Sequence, residues 1–214
     1  MLIAIDGPSG VGKSTVGQGV AAALRASYLD TGAFYRAATL AVLRASVDLT
    51  DVGAVTTTVA AVDLDFRDGR MFIDGEDVSA AIRAPDVTAA VSAVSAIPAL
   101  REEIVARQRR WVTSRRGDAV VEGRDIGTVV FPEAPLKVFL TADPEIRASR
   151  RASDAEVAGR DLEGIADELQ RRDQADSTRG ASPLRVADDA HVIDTSSQSA
   201  DDVIRRILEL IPDR

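Results

Sequence analysis

The segment that most constrains this chain is Gly7-Pro-Ser-Gly-Val-Gly-Lys-Ser14, which follows directly on the apolar run Leu2 to Ile5. It matches G-x-x-x-x-G-K-[ST], the phosphate-binding loop that joins a buried strand to a helix. Glycines allow a tight backbone turn in which successive N–H groups converge on phosphate oxygens with no side chains in the way. Lys13 is spaced to reach the β- and γ-phosphates, and Ser14 to hold Mg²⁺. The helix predicted over residues 14–26 points its positive end at the same anion. Gly7, Pro8, Ser9, Gly10, Val11, Gly12, Lys13, Ser14 and Thr15 are therefore the candidate ATP-binding set. A strand-to-helix turn with no ligand is the bland alternative, and Lys13 argues against it. It is one of only two lysines, with Lys137, in a chain that otherwise carries its positive charge on arginine.

Composition narrows the remaining classes. With 214 residues the chain is one moderate α/β domain, or a core with insertions. No apolar run is long enough to cross a membrane, and Asp6 with the glycine loop interrupts the N-terminal apolar stretch too early for a signal peptide. The expected location is cytoplasmic. There is no cysteine, which excludes disulfides, zinc-thiolate sites and thiol catalysis. The single histidine, His191, opens an apolar strand and reads as a packing residue, leaving no basis for a histidine triad or a multi-histidine metal site. A formal net charge of −8 argues against nonspecific nucleic-acid binding. Clustered arginines in an acidic chain suit small polyanions instead, since the guanidinium is the planar, bidentate partner of phosphate.

Beyond the loop helix, residues 26–30 read as a short strand and Thr31 to about Ala45 as a second helix, with Thr31 a suitable N-cap. Helical periodicity fades around Thr56-Thr57-Thr58. Asp68-Gly69 and Asp74-Gly75 punctuate short alternating segments, predicting a small β-hairpin. A helical region runs from Thr88 to about Ser114 with a break near Pro98. Residues 119–122, 136–140 and 191–194 are further strands alternating with helices, which predicts a parallel sheet flanked by helices on both faces. Residues 47–99 are assigned to an insertion, and 1–46 with 100–214 to the core. Residues 144–173 carry Arg147, Arg150, Arg151, Arg160, Arg171 and Arg172, with a break at Gly159 to Gly164 that suggests a hinged, mobile element. Ser199 caps a last amphipathic helix, Ala200 to Ile211.

A phosphate-binding loop alone leaves the reaction open. A GTPase would need Asn-Lys-x-Asp to read guanine, and the chain has no asparagine. A motor ATPase would want a strand ending Asp-Glu, whereas Val120-Val-Glu122 runs into Gly123-Arg124-Asp125. Four stretches taken together are more specific. Gly7 to Thr15, Leu29-Asp-Thr-Gly-Ala-Phe-Tyr-Arg36, Glu122-Gly-Arg-Asp-Ile-Gly-Thr-Val-Val-Phe-Pro132 and Arg171-Arg-Asp173 to Pro183-Leu184 resemble bacterial cytidylate kinases, in order and over nearly the whole chain. Thr31 and Glu122 stand where that family is expected to have serine and aspartate, and both keep the functional group.

The resemblance implies an α/β P-loop kinase core, a small β-containing monophosphate-binding insertion over 47–99, and a helical lid over about 144–173. It implies transfer of the ATP γ-phosphoryl group to CMP or dCMP in pyrimidine nucleotide metabolism, with Mg²⁺, by a monomer that binds neither nucleic acid nor membrane. By the same resemblance Arg36, Arg124 and Arg179 clamp the CMP phosphate, and Ser92, Arg101 and Asp125 read cytosine. Arg172 and Asp176 hold the sugar, and Thr31, Tyr35 and Gly123 complete the CMP set. Arg147 stacks on adenine and Arg151, one turn later, faces the ATP phosphates. Lys13, Arg36, Arg124, Arg151 and Arg179 form the catalytic set. Ser14 holds Mg²⁺, with Asp30 and Glu122 as outer carboxylates.

Each residue also has a plain structural reading. Arg147 and Arg151 at i,i+4 suit a solvated helix face. Arg172 and Asp176 suit a surface ion pair, and Arg36 and Asp125 suit caps or bridges. Ser95 is nearly interchangeable with Ser92, which spacing to Pro98 and Arg101 favours. Two other functions stay open: another P-loop small-molecule kinase of the UMP/CMP, shikimate or gluconate type, and an ATP-binding module without catalysis.

Overall fold

The computed structural model describes residues 1–153 and 161–211, which fall into two compact units, 1–29 with 112–214 and 30–111. The first unit is built on a sheet of β1 (Leu2–Asp6), β2 (Ser27–Asp30), β6 (Ala119–Gly123), β7 (Leu136–Thr141) and β8 (His191–Asp194), ordered β2-β6-β1-β7-β8. The β1 pairings with β6 and β7, and that of β7 with β8, are parallel. The central strands read as unbroken apolar runs because both faces of such a sheet are covered. Ile3, Ala4 and Ile5 of β1 and Ala119, Val120 and Val121 of β6 are fully buried.

Side chains alternate along a strand, so Ile3, Ile5, Val120, Leu136, Val138, Leu140 and Ile193 join one apolar cluster. Helices α1 (Lys13–Leu24) and α8 (Ala200–Glu209) contribute Val16, Val20, Val203 and Ile207 to it. Ser199 caps α8 as expected, its hydroxyl accepting from the Asp202 N–H. The β1 register places Asp6 opposite Gly123 of β6 and Phe139 of β7, so the ends of β1 and β6 meet beside β7 where the phosphate-binding loop begins. The parallel sheet flanked by helices is thus the α/β fold that the periodicity predicts.

The arginine-rich segment forms α6 (Pro144–Ala152) and α7 (Leu162–Thr178), which bury Ala148 against Ile165 and Leu169. The expected break at Gly159 and Arg160 lies outside the described residues.

The second unit holds α2 (Thr31–Arg44), α3 (Val52–Ala61), the antiparallel strands β3 (Leu64–Arg67), β4 (Arg70–Ile73) and β5 (Glu76–Asp77), then α4 (Pro85–Ser95) and α5 (Pro98–Ser114). Both strand turns are Asp-Gly pairs at positive φ, the handedness that matches strand twist. Two local expectations are corrected. Asp30, not Thr31, caps α2: its carboxylate accepts from the Ala33 N–H at 3.2 Å, leaving Thr31 as the first helical residue. Residues 52–61 are helical despite three threonines. Asp51 caps that helix at Ala54, the Thr56 and Thr58 hydroxyls donate to the Val52 and Ala54 carbonyls, and Val55 and Val59 are buried. Burial of one valine face outweighs the weak helix propensity of threonine.

Candidate active site

The loop after β1 has a shape only glycine permits at two points. Gly7 has φ +149° and a Cβ there would lie 2.2 Å from the Leu140 carbonyl oxygen; Gly10 has φ +81° and packs its α-carbon against Arg147. The loop ends in Gly12, the N-cap of α1, which offers no side chain to the first-turn amides. Those donors and the helix dipole are therefore directed at whatever anion the loop holds. Thr195, just beyond β8, donates to the Val11 carbonyl at 3.1 Å and accepts from Arg150 at 2.9 Å, tying α6 to the loop.

Lys13 is buried and donates to the Pro8 carbonyl at 2.7 Å. Burial, then the positive charges of Arg124 and Arg172, pull its ammonium from an ordinary 10.5 to about 7, with Glu122 and Asp6 opposing. Two predicted phosphate-binding cations, Lys13 and Arg124, and Arg172, predicted to hold the sugar, are thus close enough to disfavour one another, the arrangement expected of a site that binds an anion. Beside them the Ser14 hydroxyl donates to Glu122 Oε1 at 2.7 Å, and the Tyr28 hydroxyl donates to the same oxygen at 2.5 Å.

A second cluster follows β6. Arg124 Nε donates to Asp176 Oδ2 at 2.9 Å, and Asp176 Oδ1 lies 3.4 Å from Arg179, whose other terminal nitrogen is 3.8 Å from Asp125 Oδ1. These alternating charges shield one another in a nearly water-free setting, where an arginine needs such partners to stay buried. Four predicted acceptor-site residues therefore form one chain. Arg147, on α6, donates to the Ser9 carbonyl at 3.2 Å and pairs with Asp173, which also accepts from the Ser9 N–H at 3.3 Å. Arg151 is half-buried on the same helix and Arg172 lies on α7.

The other acceptor-site candidates lie in the second unit. Arg36 donates to the Ile82 carbonyl at 3.1 Å and to Thr88 Oγ1 at 2.9 Å. Arg101 donates to the Ser95 carbonyl at 3.1 Å and stacks its guanidinium 4.9 Å from the centre of the Tyr35 ring. Ser95 donates to the Ser92 carbonyl at 3.2 Å, so the two serines share one helix end. Gln108, on α5, donates to the Thr31 carbonyl at 3.5 Å.

The chain matches the family model described as "Cytidylate kinase" over residues 3–213. It belongs to the cytidylate kinase family. It is 51% identical over 216 residues to the cytidylate kinase of Mycobacterium leprae, covering 100% of this chain and 96% of that protein. Against the cytidylate kinase of Mycobacterium avium it is 53% identical over 220 residues, again covering 100% and 96%. Among solved structures, the shikimate kinase from Bacteroides thetaiotaomicron superposes with a TM-score of 0.50 at 13% identity, covering 98% of this chain and 97% of that one, a likeness of fold alone. As a family member the protein is a phosphotransferase of the cytidylate kinase type.

The structure adds residues that the sequence did not single out. Asp6 accepts from the Ile126 and Gly127 amides beyond β6, Tyr28 donates to Glu122, and Asp173 joins Arg147 to Ser9. A carboxylate closing an otherwise apolar strand was a visible sign for Asp6, and Asp173 sits inside the quoted Arg-Arg-Asp stretch. Tyr28 gave none, because an aromatic within a strand such as β2 ordinarily packs. Lys137, the other lysine, bonds Pro132 and Asp189 instead of the site.

Proposed function

We propose that this cytidylate kinase transfers the ATP γ-phosphoryl group to the phosphate of CMP or dCMP, giving ADP and CDP or dCDP. The observation that carries this reading is that Lys13 is buried against the phosphate-binding loop, bonded to the Pro8 carbonyl, and near enough to Arg124 and Arg172 for their charges to lower its pKa. The attacking atom is already an anionic phosphate oxygen, so no general base is required. Lys13 and the loop amides orient the triphosphate, while Arg36, Arg124 and Arg179 hold the acceptor phosphate in line and absorb the charge that spreads over the transferring group. Arg147 and Arg151 serve the ATP side from α6, and Arg172 with Asp176 holds the sugar. Gly123, Thr31 and Tyr35 line the CMP side.

Asp125, Arg101 and Ser92 read the base. A buried carboxylate opposite the cytosine amine would face a carbonyl in uracil, which disfavours UMP. Residues 47–99 act as the acceptor-binding insertion and 144–173 as the lid. Hard oxygen donors suit Mg²⁺, and the Ser14 hydroxyl beside the Glu122 carboxylate fits it. Ser14 would hold the ion, with Asp30 and Glu122 as the further carboxylates, and the ion would supply neutralisation of phosphate charge. The same reading makes the enzyme a cytoplasmic monomer of pyrimidine nucleotide metabolism, with no nucleic-acid or membrane partner.

An acceptor panel tests it. ADP release measured with CMP, dCMP, UMP, AMP and shikimate is expected to be fastest with CMP or dCMP. Turnover of shikimate without CMP, or ATP binding with no acceptor used, refutes it.

A further inference from the structure

The turn that carries Arg124 and Asp125 has an unusual anchor. Residues Ile126–Val130 form one π-helical turn, with the Val130 N–H bonded to the Asp125 carbonyl at 3.1 Å and the Phe131 N–H to the Ile126 carbonyl at 2.7 Å. Such turns are rare and need outside support. Asp125 stands at the N-cap, where an aspartate ordinarily folds back onto the first free amides. Its side chain makes no such bond. The amides of Ile126 and Gly127 are taken instead by Asp6, whose two carboxylate oxygens accept them at 2.8 and 2.7 Å from the end of β1. Asp6 is 5% exposed, so these bonds are shielded from water. At the other end of the turn Lys137 donates to the Pro132 carbonyl at 2.5 Å, and its stem lies against Gly127.

We propose that Asp6 is a positioning residue for the acceptor nucleotide: by capping the π-turn from a different strand, it keeps Asp125 from capping its own turn and leaves that carboxylate facing Arg179 and the base. The two carboxylates also repel, which biases Asp125 away from the shared amides. Without Asp6, the amides of Ile126 and Gly127 would lose their acceptor, and Asp125, at the N-cap of the same turn, is the local carboxylate that would take them. Base reading would then be lost although every residue proposed to contact CMP is still present. This inference rests on the proposal that Arg124 and Asp125 contact CMP.

Asp6 adjoins the phosphate-binding loop, so the obvious competing role is support of ATP. Steady-state kinetics of Asp6→Asn separate the two. The expected result is a KM for CMP raised roughly tenfold, weakened discrimination against UMP, and a KM for ATP within about twofold of the starting enzyme. Gly127→Ala perturbs the same contact without touching β1: its Cβ would meet Lys137 Cδ at 3.1 Å and Asp6 Oδ2 at 3.4 Å, and it is expected to reproduce the pattern. Hydrogen exchange at residues 126–127 should accelerate in both variants, with β1 unchanged. Asp125→Ala is run alongside. If it alters neither CMP affinity nor UMP discrimination, the underlying assignment of Asp125 fails. If it alters them while the two turn variants do not, or if these raise both KM values equally or lower kcat alone, the role of Asp6 is refuted. Should Asp6→Asn not fold, Gly127→Ala decides.

Discussion

Binding of ATP should draw a proton onto the enzyme above neutral pH, because Lys13 is held near pKa 7 by burial and by Arg124 and Arg172. At about pH 8 a group of that pKa is roughly nine-tenths neutral. The arrival of a triphosphate supplies the missing counter-charge and returns the ammonium to its protonated form. The expected uptake is therefore about 0.9 proton per ATP at about pH 8, and about half a proton at about pH 7. The nucleotide itself adds little at the higher value, since phosphate groups are then fully ionised. Isothermal titration of ATP at about pH 8, in buffers of high and low ionisation enthalpy, measures the number directly. Lys13→Met should abolish it. Absence of uptake, or proton release, in the unsubstituted enzyme would refute the claim that the cations around Lys13 are waiting for an anion. The same shift has a stability consequence: the unfolded lysine keeps its proton to about 10.5 and the folded one gives it up near 7, so ligand-free stability from this group rises with pH across that window.

Two further outcomes follow from packing and hydrogen bonding. The Trp111 indole N–H donates to the Phe66 carbonyl at 2.5 Å and its ring meets the Phe66 ring edge-on at 6.3 Å, so Trp111→Phe should lower unfolding free energy by about 1–3 kcal/mol in urea titrations. A loss below about 0.3 kcal/mol would mean the bond is replaced by water at no cost. Tyr28→Phe keeps the ring but removes one donor from Glu122, and should raise the KM for Mg-ATP severalfold while leaving that for CMP unchanged; equal change in both would place Tyr28 in general packing.

Much of the molecule was written in local chemistry. The loop and its helix follow from glycine spacing and Lys13-Ser14, and the strands β1, β6 and β7 from short apolar runs too brief for helices. The Asp68-Gly69 and Asp74-Gly75 turns announced the hairpins because few residues tolerate positive φ. The helix at 52–61 was missed for a physical reason: its threonines score poorly alone, and only burial of Val55 and Val59 decides the matter. The N-cap of α2 went to Asp30 by one residue, since two adjacent cap-forming side chains cannot be ranked without their dihedrals.

By itself, then, the sequence determined that a nucleotide phosphate is bound and which residue types would do it, because those requirements are set within a few neighbouring positions. Only the folded chain decided how the charges are shared. Arg124, Asp176, Arg179 and Asp125 lie on segments up to about fifty residues apart, and their alternation exists only once β6 and α7 are packed. The depressed pKa of Lys13 and the reach of Asp6 to a turn 120 residues later arise in the same way. Coulomb energy and hydrogen bonding depend on distance through space, which strand order and register fix and linear spacing does not.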